Sequence, residues 1–212
     1  TRRNHTGTHV LHWALRTVLG EHVKQAGSLV SPDRLRFDFS HYDAVTPEEI
    51  IKIETLANAQ VLANSPVTAT ESSKEEALAA GAIAFFGDKY GDVVRVLNAG
   101  ASTELCGGTH VSATGDIGFI KIIGESSIGS NLRRIEAVTG ANAVTYMQRN
   151  DAILNEISQA VGVRPDEAAA GVSRRLDELK AANDEIKALR GKLSVGRAVE
   201  LAATAVDGLV VA

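Results

Sequence analysis

Three histidines and the single cysteine offer the clearest chemistry in this chain. His5 and His9 lie four residues apart, so on a helix both imidazoles leave the same face about one turn apart and can share a metal ion. Farther on, Cys106-Gly107-Gly108-Thr109-His110 places a thiol and an imidazole at the two ends of a glycine-bearing turn. Each half alone is ambiguous: an HxxxH pair on a surface helix is usually unliganded, and a cysteine with a histidine also fits a thiol nucleophile. Together they supply the nitrogen and sulfur donors that zinc prefers, and zinc is the reading adopted. Gly107 and Gly108 let the backbone turn tightly and keep its amide groups near the site uncrowded. His12 reads as a residue behind the ligands or packed beside Trp13, and His22 and His41, near turn residues, as solvated.

These residues need elements to hold them. Residues 4–24 carry Val10, Leu11, Leu15, Val18 and Leu19 at helical intervals, with Asn4 as an N-cap and Gly27 as a stop. A hairpin follows: a short GSLVS strand, a Pro32-Asp33 turn, then Leu35, Phe37 and Phe39 alternating with Arg34, Arg36 and Asp38. Thr46-Pro47-Glu48-Glu49 predicts a capped helix over 47–64, and Ser72 or Ser73 with Glu75 and Glu76 a shorter one closed by Gly81. Segments 83–86, 93–97, 117–123 and 134–138 are β-rich and separated by glycines, and are expected to form one mixed sheet.

From residue 141 the pattern turns helical to about 161, breaks at Gly162-Val163-Arg164-Pro165, and resumes to about 195. Val172, Leu179, Ile186 and Leu193 recur every seven residues with Arg175 interrupting, which fits either a coiled-coil stalk or one amphipathic helix packed on its own domain. Residues 209–212 resemble a strand just beginning, as in a fragment. The expected class is α+β, a mixed sheet flanked by helices and followed by an extended helical segment. The expected divisions are 1–142, a helical linker or stalk at 143–197, and the start of a further domain at 198–212.

Composition narrows the classes. The chain has 212 residues, 44% hydrophobic and 23% charged, enough for a sizeable core. A formal charge of −4 does not announce a nucleic-acid partner, so any RNA contact must come from a local basic patch. Cys106 excludes an internal disulfide and fits a reducing cytosol. No apolar run reaches the roughly 18 to 20 residues of a membrane span, and the opening TRRNHTG lacks a signal-peptide core, so a cytoplasmic location is expected.

The strings NHTGTHVLH at 4–12, QAGSLV at 25–30 and LRFDFSH at 35–41 are similar to the editing domain of alanyl-tRNA synthetases. So are ELCGGTHV at 104–111 and RIEAVTG at 134–140. The resemblance covers about residues 3–142 in order and runs on, less specifically, into the helices. It implies hydrolysis of the ester joining serine or glycine to tRNA for alanine. Such a step is needed because glycine is smaller than alanine and a small pocket rejects an added hydroxyl only by roughly 100-fold. It also implies zinc on His5, His9, Cys106 and His110, with Thr8 and Gln25 lining the aminoacyl pocket; Gln25 offers both a donor and an acceptor. The amides at Gly107 and Gly108 are candidates for stabilising the oxyanion.

Zinc can activate water, polarise the carbonyl or hold the substrate's amino group, and four protein ligands would close the site unless one is displaced. Arg133 and Arg134 can meet tRNA phosphates or simply end a solvated strand. The resemblance holds no counterpart of the part that activates alanine. Three alternatives stand beside this reading: a freestanding trans-editing protein of the same superfamily, the related editing domain of threonyl-tRNA synthetase, or a non-catalytic zinc-stabilised module for tRNA docking or dimerisation. A homodimer through the C-terminal helices is a further expectation.

Overall fold

A computed structural model describes residues 1–84 and 91–203. Those residues form two compact units, one reaching Met147 and one beginning at Gln148.

Helix α1 (Arg2–Leu19) buries Val10, Leu11, Ala14 and Leu15 as one apolar stripe. It stops earlier than the expected residue 24. Gly20 takes a φ of 115°, which a side chain would oppose, and Gln25 already pairs with Phe39 in the next element. Asn4 is not the cap either. It is buried in the first turn, where its amide donates to the carbonyls of Ser31 (2.7 Å) and Pro32 (3.3 Å) and accepts from the Thr139 hydroxyl (2.6 Å). One side chain thus ties the start of α1 to a hairpin turn and to the end of the last strand.

Strands β1 (Gln25–Val30) and β2 (Leu35–Ser40) form the expected hairpin, closed by the Ser31 amide donating to the Arg34 carbonyl at 3.0 Å. The alternation in β2 is realised: Leu35, Phe37 and Phe39 are fully buried. Helix α2 (Pro47–Leu62) begins at a complete capping box between Thr46 and Glu49. Strand β3 (Val67–Ser73) leads into α3 (Lys74–Ala79), whose box is built by Ser73 and Glu76. Strands β4 (Val93–Ala99), β5 (Ser102–Leu105), β6 (Ile120–Gly129) and β7 (Leu132–Thr139) complete the strands described.

The class is α+β with helices flanking sheet, as expected. The strands separate, however, into a four-stranded sheet of order β1-β2-β7-β6 and a three-stranded sheet of order β3-β4-β5. Neighbours pair antiparallel, and the parallel component is an isolated bridge between Ile83 and Glu104. The division arises from β3, whose polar VTATESS gives no alternation to read, yet which pairs with β4 along its whole length. Ile117, expected in a strand, sits instead in a 3-10 turn over Thr114–Ile117. Of the strand expected at 83–86, residues beyond Ala84 lie outside the described residues, as do 209–212.

Side chains from α1, α2, β2, β6 and β7 share one core, including Leu11, Leu15, Phe37, Phe39, Ile53, Ile120 and Ile135. A smaller core joins Ala77, Ala82, Val94, Val96 and Leu105. Beyond them α4 (Ala141–Val161) ends before Gly162, a 3-10 turn spans Pro165–Glu167, and α5 runs over Ala168–Ala203. Along α5 the seven-residue positions Leu179, Ile186 and Leu193 are exposed. No helix among the described residues is long and apolar enough to cross a membrane.

Candidate metal centre

Helix α1 and the loop after β5 bring together four side chains from opposite ends of the domain. The donor atoms of His5, His9, Cys106 and His110 all lie within 4.8 Å of one another. The three imidazoles stand at centroid distances of 5.2, 4.3 and 5.1 Å.

Each ring is held at Nδ1. A carbonyl or a carboxylate can only accept, so the Nδ1 of His5 donates to the Thr109 carbonyl (3.2 Å) and the Nδ1 of His9 donates to the Glu104 carboxylate. His110 Nδ1 meets Thr6 Oγ1 at 3.2 Å. The Thr6 hydroxyl gives its proton to the Arg2 carbonyl, so its lone pairs serve His110 and the Val111 amide. With Nδ1 engaged in each ring, Nε2 is the nitrogen that the neutral imidazole turns to the cluster, the tautomer a metal needs.

Two further observations test the fit to a metal. His110 Nε2 is buried with no hydrogen-bond partner, a costly state for an imidazole that binds nothing. His5 Nε2 lies 3.5 Å from Cys106 Sγ. Zinc bonds of about 2.3 Å to sulfur and about 2.0 Å to nitrogen, set at the tetrahedral angle, place those atoms about 3.5 Å apart. The donor set and spacing fit zinc.

Without a metal the charges of the cluster pair among themselves. Burial opposes ionisation of Cys106, yet the imidazoles of His110, His5 and His9 gathered around it bring its thiol down to about 3, toward the thiolate a metal binds. Burial also opposes the charge on His9, but Cys106 and Glu104 raise it to about 9, so without a metal this ring carries a second proton that a metal would have to displace. Glu104, against its own burial, is held down to about 2 by His12 and His9. His110 is lowered, first by burial and then by the charges of His5 and His9.

Glu104 does not stand out in the sequence as a functional residue. It is 1% exposed and reaches His9 with one oxygen and His12 Nδ1 with the other at 2.8 Å, with the Ser102 hydroxyl donating at 3.1 Å. His12 thus stands behind the ligands, as its position suggested. Arg95 is equally silent in the sequence: its guanidinium donates to the carbonyls of Cys106 (3.1 Å) and Gly108 (2.6 Å), which turns the loop's carbonyls toward β4. Thr6 gives no signal beyond its place in the NHTGTHVLH string.

The other expected residues fall around this cluster. Thr8 is buried on α1 between the two ligands, its hydroxyl donating to the Asn4 carbonyl at 2.8 Å. Gln25 lines a small cavity of about 140 Å³ with His12, Arg16, Lys24 and Ile83. Among the described residues no acceptor is found for the amides of Gly107 and Gly108. A Cβ on Gly107 would meet nothing, whereas one on Gly108 would lie 2.2 Å from the His5 ring. Arg133 makes a two-point pair with Glu125 and Arg134 one with Asp38. His22 and His41, expected to be solvated, hydrogen-bond each other through Nε2 and Nδ1 at 2.8 Å.

An α+β domain with a His3Cys cluster of this kind defines the class, and residues 94–136 match the family model described as the threonyl and alanyl tRNA synthetase second additional domain. Over 207 residues, 98% of its length, the chain is 49% identical to alanine–tRNA ligases of Janthinobacterium sp. (strain Marseille), Delftia acidovorans and Herminiimonas arsenicoxydans. The chain spans about a quarter of the length of these relatives (24%). It is a relative of the alanyl-tRNA synthetases, corresponding to the segment that carries their editing-type domain.

Proposed function

We propose that this chain is the hydrolytic editing part of an alanyl-tRNA synthetase, removing serine or glycine from tRNA for alanine in the cytoplasm. The observation that carries the reading is the convergence of His5, His9, Cys106 and His110, three rings locked through Nδ1 and one of them, His110, with a buried and unsatisfied Nε2. In this reading residues 1–142 are the editing domain, 143–197 a helical linker or stalk, and 198–212 the start of the next domain.

His5, His9, Cys106 and His110 hold zinc, which supplies Lewis-acid polarisation of the ester or of a water molecule when bound. The remaining work belongs to the protein. Thr8, fixed through its hydroxyl hydrogen, offers oxygen lone pairs beside the ligands, and Gln25 offers an amide from the adjoining cavity. The amides of Gly107 and Gly108 are the proposed oxyanion donors, and Arg95 supports the first by drawing off the Cys106 carbonyl of the same peptide unit. Arg133 and Arg134 would give up Glu125 and Asp38 to meet tRNA phosphates. Successive strand residues face opposite sides, so the two would not serve one patch.

The exposed apolar positions of α5 support a role for that helix in pairing two copies. Gel filtration of the chain before and after truncation at Pro165 tests it.

The test of the function compares hydrolysis of Ser-tRNA and Ala-tRNA, both for alanine, by the chain and by His9→Ala, with zinc measured on both. Selective loss of serine with the unsubstituted chain alone is expected. Retained zinc with serine still attached would reject the reading in favour of a structural zinc module.

A further inference from the structure

A row of rings runs from the metal centre to the surface. His12 packs on Phe37 (centroids 5.0 Å), Phe37 on Phe39 (6.0 Å) and Phe39 on His41 (6.3 Å). Phe37 and Phe39 alternate along β2 and share one face, and His41, one residue past the strand's end, continues the row. The first two are fully buried, whereas His41 emerges at the strand's end. There it lies edge to edge with His22 in nearly one plane (centroids 5.1 Å, 20°), joined by their 2.8 Å hydrogen bond, and His22 lies nearly parallel to Tyr42 (5.7 Å, 25°).

The ledge so formed is fixed from beneath. The Ser40 hydroxyl donates to the His22 carbonyl at 2.6 Å and accepts from the Lys24 amide at 3.0 Å, while the His41 amide donates to the Asn131 carbonyl at 3.0 Å. His22, Lys24, Ser40, His41, Tyr42 and Asn131 line a cavity of about 340 Å³, within the about 300–1,000 Å³ of small-ligand sites. Tyr42 is 72% exposed, an unusual place for a large ring that serves only packing. The Lys24 ammonium has no carboxylate partner among the described residues.

Lys24 lines both this cavity and the smaller one that holds Gln25 and His12. A flat, near-parallel set of exposed rings with one unpaired cation is the chemistry that receives a single-stranded nucleotide: the base on the rings, the phosphate at the ammonium. We infer that His22, His41 and Tyr42, with Lys24, form a stacking site for a single-stranded nucleotide near the 3′ end of the tRNA. The inference rests on the editing function proposed above. Phe37 and His41 are four residues apart, about 13 Å of extended chain, so the ledge takes a nucleotide short of the esterified one.

The test is binding of a fluorescein-labelled single-stranded oligoribonucleotide ending in CCA, followed by anisotropy, to the full chain and to Tyr42→Ala, Tyr42→Phe and Lys24→Ala, with folding checked by thermal melting. Tyr42→Ala should weaken binding about tenfold and Tyr42→Phe should not, because stacking needs the ring and not the hydroxyl. Lys24→Ala should reduce the slope of log Kd against log salt by about 0.7, the loss of one phosphate contact. Unchanged affinity in Tyr42→Ala overturns the inference, as does failure of the unsubstituted chain to bind the oligonucleotide while it hydrolyses Ser-tRNA. The probe carries no amino acid, so a chain that binds it as expected yet hydrolyses no ester refutes the editing function and sustains the ledge.

Discussion

Gly108 and Gly107 make a matched pair. Neither has a positive φ, so an alanine at either is free of backbone strain, and the two differ in what the new methyl group would touch. At 107 it meets nothing within 4 Å. At 108 it lies 2.2 Å from Cε1, 2.8 Å from Nδ1 and 3.4 Å from Nε2 of His5, and carbon atoms in contact prefer about 3.5 to 4.0 Å. The ring must retreat by more than about 1 Å. It cannot do so and keep both its Nδ1 bond to Thr109 and its 3.5 Å approach to Cys106 Sγ. The strain of Gly108→Ala should therefore fall on the metal centre. Zinc affinity, measured by competition with a chromophoric chelator, should drop by about 10- to 100-fold, the cost of disturbing a ligand's orientation. Stability of the metal-free chain should fall by no more than the about 1–3 kcal/mol of an overpacked site. Gly107→Ala should bind zinc normally. Native affinity in Gly108→Ala, or equal damage from Gly107→Ala, would show that space around His5 is not why glycine stands there.

Glu104→Gln leaves an amide that can accept from only one of the two imidazoles, and zinc affinity should fall about 10- to 100-fold in the same competition assay. In the metal-free chain the Glu104 and His9 contacts give a stability window. Glu104 is depressed from 4.5 to about 2, so its contribution is complete above 4.5 and lost as pH falls through 2; His9 is raised from 6.5 to about 9, so its contribution is complete below 6.5 and lost as pH rises through 9. Urea unfolding should show the largest gap between the unsubstituted chain and Glu104→Gln between pH 4.5 and 6.5, and a flat difference with pH would contradict the pairing. Thr46→Ala removes the hydroxyl that accepts from the Glu49 amide, leaving the Glu49 carboxylate on the residue-46 amide, and should cost about 1 kcal/mol by the same method. Chelation should lower the melting temperature without abolishing helical circular dichroism; a disordered spectrum would mean that the metal holds the fold.

Local features of the site are legible in the sequence, and features formed at long range are not. HxxxH and CGGTH are short-range spacings, so residue type and separation mark the four side chains that the fold brings together. The Thr46 and Ser73 caps are legible for the same reason: donor, acceptor and helix start lie within four residues. Glu104, Arg95 and Thr6 do their work across gaps in the chain. Glu104 meets His9 and His12 from 95 and 92 residues away, and Thr6 meets His110 from 104. The one hint is a carboxylate two residues before a ligand cysteine. Arg95, a charge between Val94 and Val96, has the pattern of a solvated strand face, and only the fold brings to it the carbonyls it gathers. The end of α1 was misplaced because Gly20 and Gly27 both offer a stop, and only the pairing of Gln25 with Phe39 decides between them. The polar β3 carries no signal because its mostly exposed face has no reason to alternate.

The same separation bears on how this domain could hold a metal without depending on it for its fold. Every ligand comes from α1 or from the loop after β5, and both are anchored independently of the cluster. Helix α1 is fixed by Val10, Leu11, Ala14 and Leu15 in the core and by the three-way Asn4 contact; each such buried aliphatic larger than alanine contributes about 1.5–3 kcal/mol. The loop is fixed by Arg95 and by Leu105 in the smaller core. Glu104 joins the two, since its carboxylate on β5 grips His9 and His12 on α1. A domain assembled in this way holds the three imidazoles and the thiol close together without a metal. Four donors already within 4.8 Å of one another would make metal entry a small change of structure, and the binding energy that folding would otherwise consume would appear as affinity.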